Sequence, residues 1–184
     1  MSVTMELVLD HLDKEGNVKS TFSKSCDSFN YNFMRYIANS FGAAALFNMI
    51  DTGNVARAIS PGGYLNIITP SGDTTRGVRL GTTGTASAPA DYNLLALIPQ
   101  GVADNTLAYG SVVTPTVDVV GNTIRLHIKR TFVNGGSVNI TVRELDLVSN
   151  AGGYNVEYLR DSIPDQIIPA LDGVAVEILI QVTV

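Results

Sequence analysis

The chain has 184 residues, yet only one cysteine, two histidines and no tryptophan. A lone Cys26 excludes a disulfide framework within one chain and a thiolate zinc site. With only His11 and His127, any metal site would have to be mostly carboxylate. Charge is scarce too: charged residues make up 16%, against about 25% in ordinary globular domains. Hydrophobic residues reach 45%, so the chain can build a real core but has little charge left for its surface. A net charge of −5 without clustered Lys or Arg argues against a nucleic-acid partner, because neutralising phosphates needs clustered cations. It argues equally against an acidic membrane surface. The longest apolar stretch, Ala43 to Ile50, is broken by Asn48 and falls far short of the roughly 18 residues a bilayer span needs. The start, Met-Ser-Val-Thr-Met-Glu, has neither a basic region nor an apolar one behind it, so the expected place of synthesis and folding is a cytoplasm.

What is present reads as one helix followed by many strands. Val3, Met5, Leu7 and Leu9 place apolar side chains at every second position, Asp13 to Asn17 supplies turn chemistry, and Val18 to Phe22 reads as a returning strand. Asp27 or Ser28 can cap a helix, after which Phe29, Phe33, Tyr36, Ile37, Phe41, Ala44 and Ala45 recur at three- and four-residue spacing. The expected helix covers about 28–50. From there, short β-prone runs recur between Gly, Pro, Asn and Asp: Tyr64 to Thr69, Gly77 to Leu80, Ala108 to Val113, Thr116 to Val120, Thr123 to Phe132, Ser137 to Leu147, Tyr154 to Arg160 and Val174 to Val184. Such spacing predicts a mainly β fold: a single antiparallel β-sandwich, jelly-roll-like, with hairpin 1–24, the helix inserted after it, and sandwich strands over about 64–184. Ile124, Leu126 and Ile128 are expected inward and Arg125, His127 and Lys129 outward. Asn134-Gly135-Gly136 reads as a hairpin with positive φ. Gly81 to Asp91 and Ser149 to Gly153 read as loops.

Motifs that carry chemistry are nearly absent. Gly81-Thr-Thr-Gly-Thr lacks the Gly-Lys-Ser/Thr ending of a phosphate-binding loop and no helix pattern follows it. His127 sits among Lys129 and Arg125 without an acidic orienter in sequence, which reads as a solvated edge. His11 between Asp10 and Asp13 reads as polar turn chemistry, and Cys26 as a half-buried structural thiol. Asp161 and Asp165 flank Pro164 and read as turn formers rather than an acid–base pair.

Several segments taken in order resemble a family of virion-associated proteins of tailed bacteriophages. Asp27-Ser28-Phe29 with Asn32-Phe33 is similar to that family's Asp-Ser-Phe-x-x-Asn-Phe start of an N-terminal helix. Leu80-Gly81-Thr82-Thr83-Gly84-Thr85 followed by Asp91-Tyr92-Asn93-Leu94 resembles its Gly-Thr-Gly-rich loop. Ile128-x-Arg130-x-Phe132-x-Asn134, Thr141-Val142-Arg143-Glu144, Leu159-Arg160-Asp161 and the closing strand from Gly173 resemble its later segments, with Asp146 standing where such proteins commonly have Gly. The resemblance implies a non-enzymatic structural subunit, without a cofactor, localised to the virion. The implied form is a minor capsid or decoration protein packed in symmetric copies as a homo-oligomer against capsid, neck or tail subunits, with no nucleic acid and no membrane as partner. Asp27, Ser28, Phe29, Asn32, Phe33, Arg130, Asn134, Glu144, Arg160 and Asp161 then become candidate structural or interface residues. Arg130 and Glu144 are expected to pair across adjacent strands, and Arg160-Asp161 to tie a loop down.

Two other classes compete with this one. A tail or fibre module binding a receptor or carbohydrate would use Tyr64, Tyr92, Tyr109, Tyr154 and Tyr158 as stacking faces, though it lacks Trp, the best platform. A polymer hydrolase would need two carboxylates converging in a cleft.

Overall fold

A computed structural model describes residues 2–26, 29–40, 47–59 and 66–183. The alternating N-terminal segment forms β1 (Ser2–Leu12), and the chain returns as β2 (Val18–Cys26). Asp13 makes the turn between them: its carboxylate accepts the N–H groups of Glu15 and Asn17 at 3.0 and 2.8 Å. The helix α1 spans Tyr31–Ser40. Its cap is Asn30, whose Oδ1 accepts from the N–H of Asn32 at 3.0 Å and of Phe33 at 3.3 Å. Asp27 and Ser28, expected as caps, lie outside the described residues, as do 41–46 and Tyr64.

The expected helix of 28–50 is too long. Met49–Ile50 is a strand, β3, paired with β4 (Ala56–Arg57) across a turn in which Asp51 accepts the N–H groups of Gly53 and Val55. Two helix asparagines act as surrogate backbone for the returning chain. Asn32 exchanges bonds of 2.8 Å with the N–H and C=O of Ile50, and Asn39 does the same with Phe47. Those bonds run the chain back alongside α1 instead of prolonging it.

The remaining strands are β5 (Gly77–Gly81), β6 (Ala108–Tyr109), β7 (Thr116–Val120), β8 (Thr123–Val133), β9 (Ile140–Ala151), β10 (Tyr154–Ile168) and β11 (Gly173–Thr183). They form two antiparallel sheets. The larger runs β2-β1-β11-β8-β6, with β7 also paired to β8; the smaller runs β10-β9-β5. Leu7, Leu9, Ile128, Phe132 and Ile178 of the larger sheet meet Val78, Leu80, Leu145, Leu147 and Leu159 of the smaller in one core, each contributing roughly 1.5–3 kcal/mol on burial. The molecule is an antiparallel β-sandwich with one short helix after the first hairpin.

Asn134 is not part of a hairpin. β8 and β9 belong to different sheets, and neither Gly135 nor Gly136 has positive φ. Both glycines are instead needed for close approach, since a Cβ on Gly136 would meet Asp104 Cα at 2.9 Å. The fully buried Asn134 amide donates to the carbonyls of Val138, Ile168 and Pro169 at 2.8, 3.1 and 3.0 Å, while its backbone N–H donates to Asp172. It therefore pins both crossings between the sheets, β8 to β9 and β10 to β11, at one end of the sandwich. A tight hairpin lies instead in a stretch expected to be a loop: Ala151 pairs with Tyr154 across Gly152-Gly153, both with positive φ.

Asn134→Ala leaves three carbonyls, the buried one of Ile168 among them, without their donor and should lower the unfolding free energy by about 2–4 kcal/mol. Urea denaturation followed by circular dichroism reads this directly, and an effect below about 1 kcal/mol contradicts the pinning role.

Candidate functional site

On the outer face of the smaller sheet, charges are buried rather than solvated. The alternation along β9 changes phase between Val142 and Leu145, both in the core, where the β9–β10 register is irregular between Ser162 and Gln166. That shift turns Glu144 and Asp146 to the outer face, beside Arg79 of β5 and Glu157 and Arg160 of β10. All five are buried, because residues 82–97 and the start of α1 lie across them.

Arg160 holds this covering strap. It donates to Glu144 Oε2 at 3.0 and 2.7 Å, to Asp91 at 2.7 Å and to the Thr85 carbonyl at 3.1 Å. Glu144 in turn accepts the Ala96 N–H at 3.0 Å. Gly81 makes room for that carboxylate, since a Cβ there would lie 2.4 Å from Glu144 Oε1. The stretch from Gly81 to Asp91, expected as a functional or mobile loop, is thus strapped down. Arg160 ties a loop, but Asp161 does something else: it accepts Lys24 Nζ at 2.9 and 3.0 Å, linking β10 to β2 of the opposite sheet.

A second cluster lies alongside. Arg79 grips Asp146 through both Nε and Nη2 and also donates to Asn93 at 2.8 Å. Glu157 faces this pair with one oxygen near Asn30 Nδ2 and Oε1 without an acceptor-type partner. Burial, and after it the negative charge of Asp146, pushes the Glu157 carboxyl up to about 10. Burial thus holds the Glu157 carboxyl in its neutral form at pH 7. Two carboxyls do converge here, as a hydrolase would require, but neither is exposed, and Arg79 occupies both oxygens of Asp146.

The expected Arg130–Glu144 pair does not form, because β8 and β9 lie in different sheets. Arg130 follows Ile124, Leu126 and Ile128 on the inward face. Its guanidinium donates to the carbonyls of Gly110, Arg76 and Val78 at 2.8, 3.1 and 2.9 Å and stacks over Tyr109 at 4.8 Å. Burial brings it down to about 10, still charged at neutral pH. His127 is not at an edge either: β8 is flanked by β11 and β7. Two neighbouring strands supply the acids that the linear sequence does not show next to it, Glu177 on Nδ1 and Asp118 at 3.3 Å from Nε2. Both ring nitrogens are thereby occupied, and among the described residues no hydroxyl or thiol partner completes a nucleophilic set. The bond from Arg125 holds Asp118 down at about 2. Asp161, Pro164 and Asp165 lie within β10, at its irregularity, rather than in a loop.

The tyrosines do not form a stacking platform. Tyr109 and Tyr158 are buried, Arg57 covers Tyr154 at 4.3 Å, and Tyr64 lies outside the described residues. Phe29 bridges to Leu159 and stacks on Phe33 at 4.1 Å, and Phe33 meets Tyr158 edge-on at 6.5 Å.

The surface feature that stands out is apolar. The inner face of the larger sheet runs past the end of the smaller one. The register aligns Val3, Val182, Ile124 and Val119 in one row across four strands, and Met5, Ile180, Leu126 and Val117 in the next. Of these, Val3, Val117 and Val119 are 58%, 64% and 66% exposed. The face leads into a cavity of about 340 Å³ between the sheets, lined by Phe29, Phe33, Ile68, Pro115, Leu126 and Ile180 among others. Among the described residues nothing covers this patch, and no charged side chain lies in it, which suits it to contact with another apolar surface.

No protein-family model matches this chain, and no curated protein or solved structure matches it. Among the described residues no group of three or more His, Cys, Asp or Glu is placed to hold a metal ion, and no helix is long and apolar enough to cross a membrane.

Sequence reasoning missed Arg79, Asp146 and Glu157 as a cluster, and Asn30 and Asp91 as their links to α1 and the strap. The available signal is charge of both signs at outward positions of three paired strands; recognising it requires knowing that the strands pair.

The Glu157 proton has a measurable consequence. Its folded pKa lies above the ordinary value of 4.5, so this group's contribution is greatest below about pH 4.5 and is lost as pH rises toward 10. Between about pH 6 and 9 stability should fall by up to about 1.4 kcal/mol per pH unit. Glu157→Gln, neutral throughout, should flatten that slope in urea titrations; an unchanged slope refutes the assignment.

Proposed function

We propose that this chain is a non-enzymatic structural subunit of a tailed-bacteriophage particle, a minor capsid or decoration protein packed in symmetric copies against other virion proteins. Its partners in this reading are capsid, neck or tail subunits and copies of itself, not nucleic acid or membrane. It is made in the host cytoplasm and functions in the virion. The observation that carries the reading is the uncovered apolar face of the larger sheet.

Two further features support it. Nine charged side chains among the described residues are buried, so an already charge-poor chain keeps even less charge outside. Surfaces buried between subunits are depleted in charge in the same way. The ordered resemblance from Asp27-Ser28-Phe29 to the closing strand supplies the biological context. A tail or fibre role in sugar binding finds less support, since the exposed patch is aliphatic and the tyrosines are dispersed.

The test is mass spectrometry of purified particles from the source phage, followed by location of the chain in an electron-microscopy map of the intact particle. The expected result is the chain in multiple symmetric copies. Its absence from particles that carry all other structural proteins overturns the reading.

A further inference from the structure

The sheets end on β2, β5 and β10 and, side by side along β8, on β6 and β7; β6 is covered by Gly72, whose N–H donates to Tyr109 O at 2.8 Å, and three of the other four edges are protected. The edge of β5 is occupied by residues 96–98, with Thr82 N–H on Ala96 O at 3.0 Å and Ile98 N–H on Leu80 O at 2.9 Å. The outer edge of β10 is occupied by Asn30 and Thr52, bonded to Tyr158 and Asn155. β2 is open but carries Lys19 and Lys24 among serines and threonines, the composition that natural sheets use to discourage pairing.

The fourth edge, β7, is bare. Its sequence is Thr-Val-Asp-Val-Val, four of the five residues are exposed, and among the described residues no backbone bond reaches its outer side. Its sole charge, Asp118, is already engaged within the chain by Arg125 at 2.7 Å and by His127. Val117 and Val119 on the same strand end the two apolar rows described above.

We infer that β7 is a self-association edge, which pairs antiparallel with β7 of a second copy about a two-fold axis near Asp118. In that register Val117 of each copy lies opposite Val119 of the other, so the aliphatic rows of two sheets become one continuous face. The strand ladder continues through both molecules, and the unpaired N–H and C=O groups of both edges are satisfied at once. A second copy fits because the strand is complementary to itself: in this register each Val117 meets a Val119 and each Thr116 a Val120. Each molecule carries −5, but the two aspartates at the axis are each compensated within their own chain by Arg125 and His127.

The contact is small. Each exposed aliphatic side chain removes roughly 60–120 Å² from water on burial, so a five-residue ladder with its valines falls below about 1,200 Å², the weak class of interface. It should form at high local concentration, as on a particle surface, and only partly in dilute solution. This deepens the structural-subunit reading by naming one contact between copies, and it fails separately from it.

Sedimentation velocity of the full chain from about 1 μM to 1 mM should show a reversible monomer–dimer equilibrium. Val119→Lys should raise the dissociation constant about tenfold or more, because a lysine on the edge resists pairing. Val117→Thr with Val119→Thr, both good strand formers, should weaken association while leaving the circular dichroism spectrum unchanged, which covers the case of a poorly folded lysine variant. Val18→Lys on the β2 edge should leave the dimer intact. A chain that stays monomeric throughout, or a dimer indifferent to both β7 variants or broken by the β2 variant, overturns the inference. Particles that contain the chain alongside a strictly monomeric purified protein would refute this contact and leave the structural role standing. A β7 dimer that never enters particles would do the reverse.

Discussion

The clamp that Arg160 makes with Glu144, Asp91 and the Thr85 carbonyl is the constraint on which the smaller sheet depends. A three-stranded sheet with a core on one face needs a cover on the other, and residues 82–97 supply it with few large side chains. Gly, Thr, Ser, Ala and Pro cannot seal a sheet by hydrophobic burial. The seal is therefore polar: charged side chains on three strands reach up to backbone groups of the strap, and the strap shields them from water. Breaking one partner would leave a buried charge uncompensated, typically a loss of several kcal/mol. That interdependence explains why Gly81, Glu144, Arg160 and Asp91 occur together.

The same logic recurs around Arg130 and Asn134. Each sits where chain segments of different sheets converge, and each donates chiefly to carbonyls that no strand ladder reaches. Arg130 joins β8 to the segment from Asp73 to Val78, and Asn134 joins the two crossings. Side-chain polar groups thus hold the sandwich together at points where backbone pairing is interrupted. Function would then reside in what these interactions leave uncovered, the apolar end of the larger sheet.

Charge-poor composition and a buried charge network act in one direction. Ion pairs that would otherwise decorate the exterior are spent inside the smaller sheet's cover. What stays outside is largely Thr, Ser, Asn and Val, with a few exposed pairs such as Arg143 with Asp165, each worth little.

Local pattern alone determined the strands with clean alternation, such as β1, β8 and β11, and the existence of a single helix with an aromatic face. It determined these because period-2 and period-3.6 placement of apolar residues follows from backbone geometry. Which strands share a sheet was decided only by tertiary packing, and the misread hairpin, ion pair and solvated charges trace to that. Asn134-Gly135-Gly136 and Gly152-Gly153 carry similar turn chemistry, yet one is a crossing and the other a hairpin, because Asn134 bonds to carbonyls more than thirty residues away in sequence. Glu144 and Arg130 look like strand neighbours until the sheets separate them. Arg79, Asp146 and Glu157 look solvated until a strap of small residues closes over them. The sequence shows that charge is scarce; only the fold shows that nine charged side chains among the described residues are inside, because burial of a charge depends on partners brought together from distant strands.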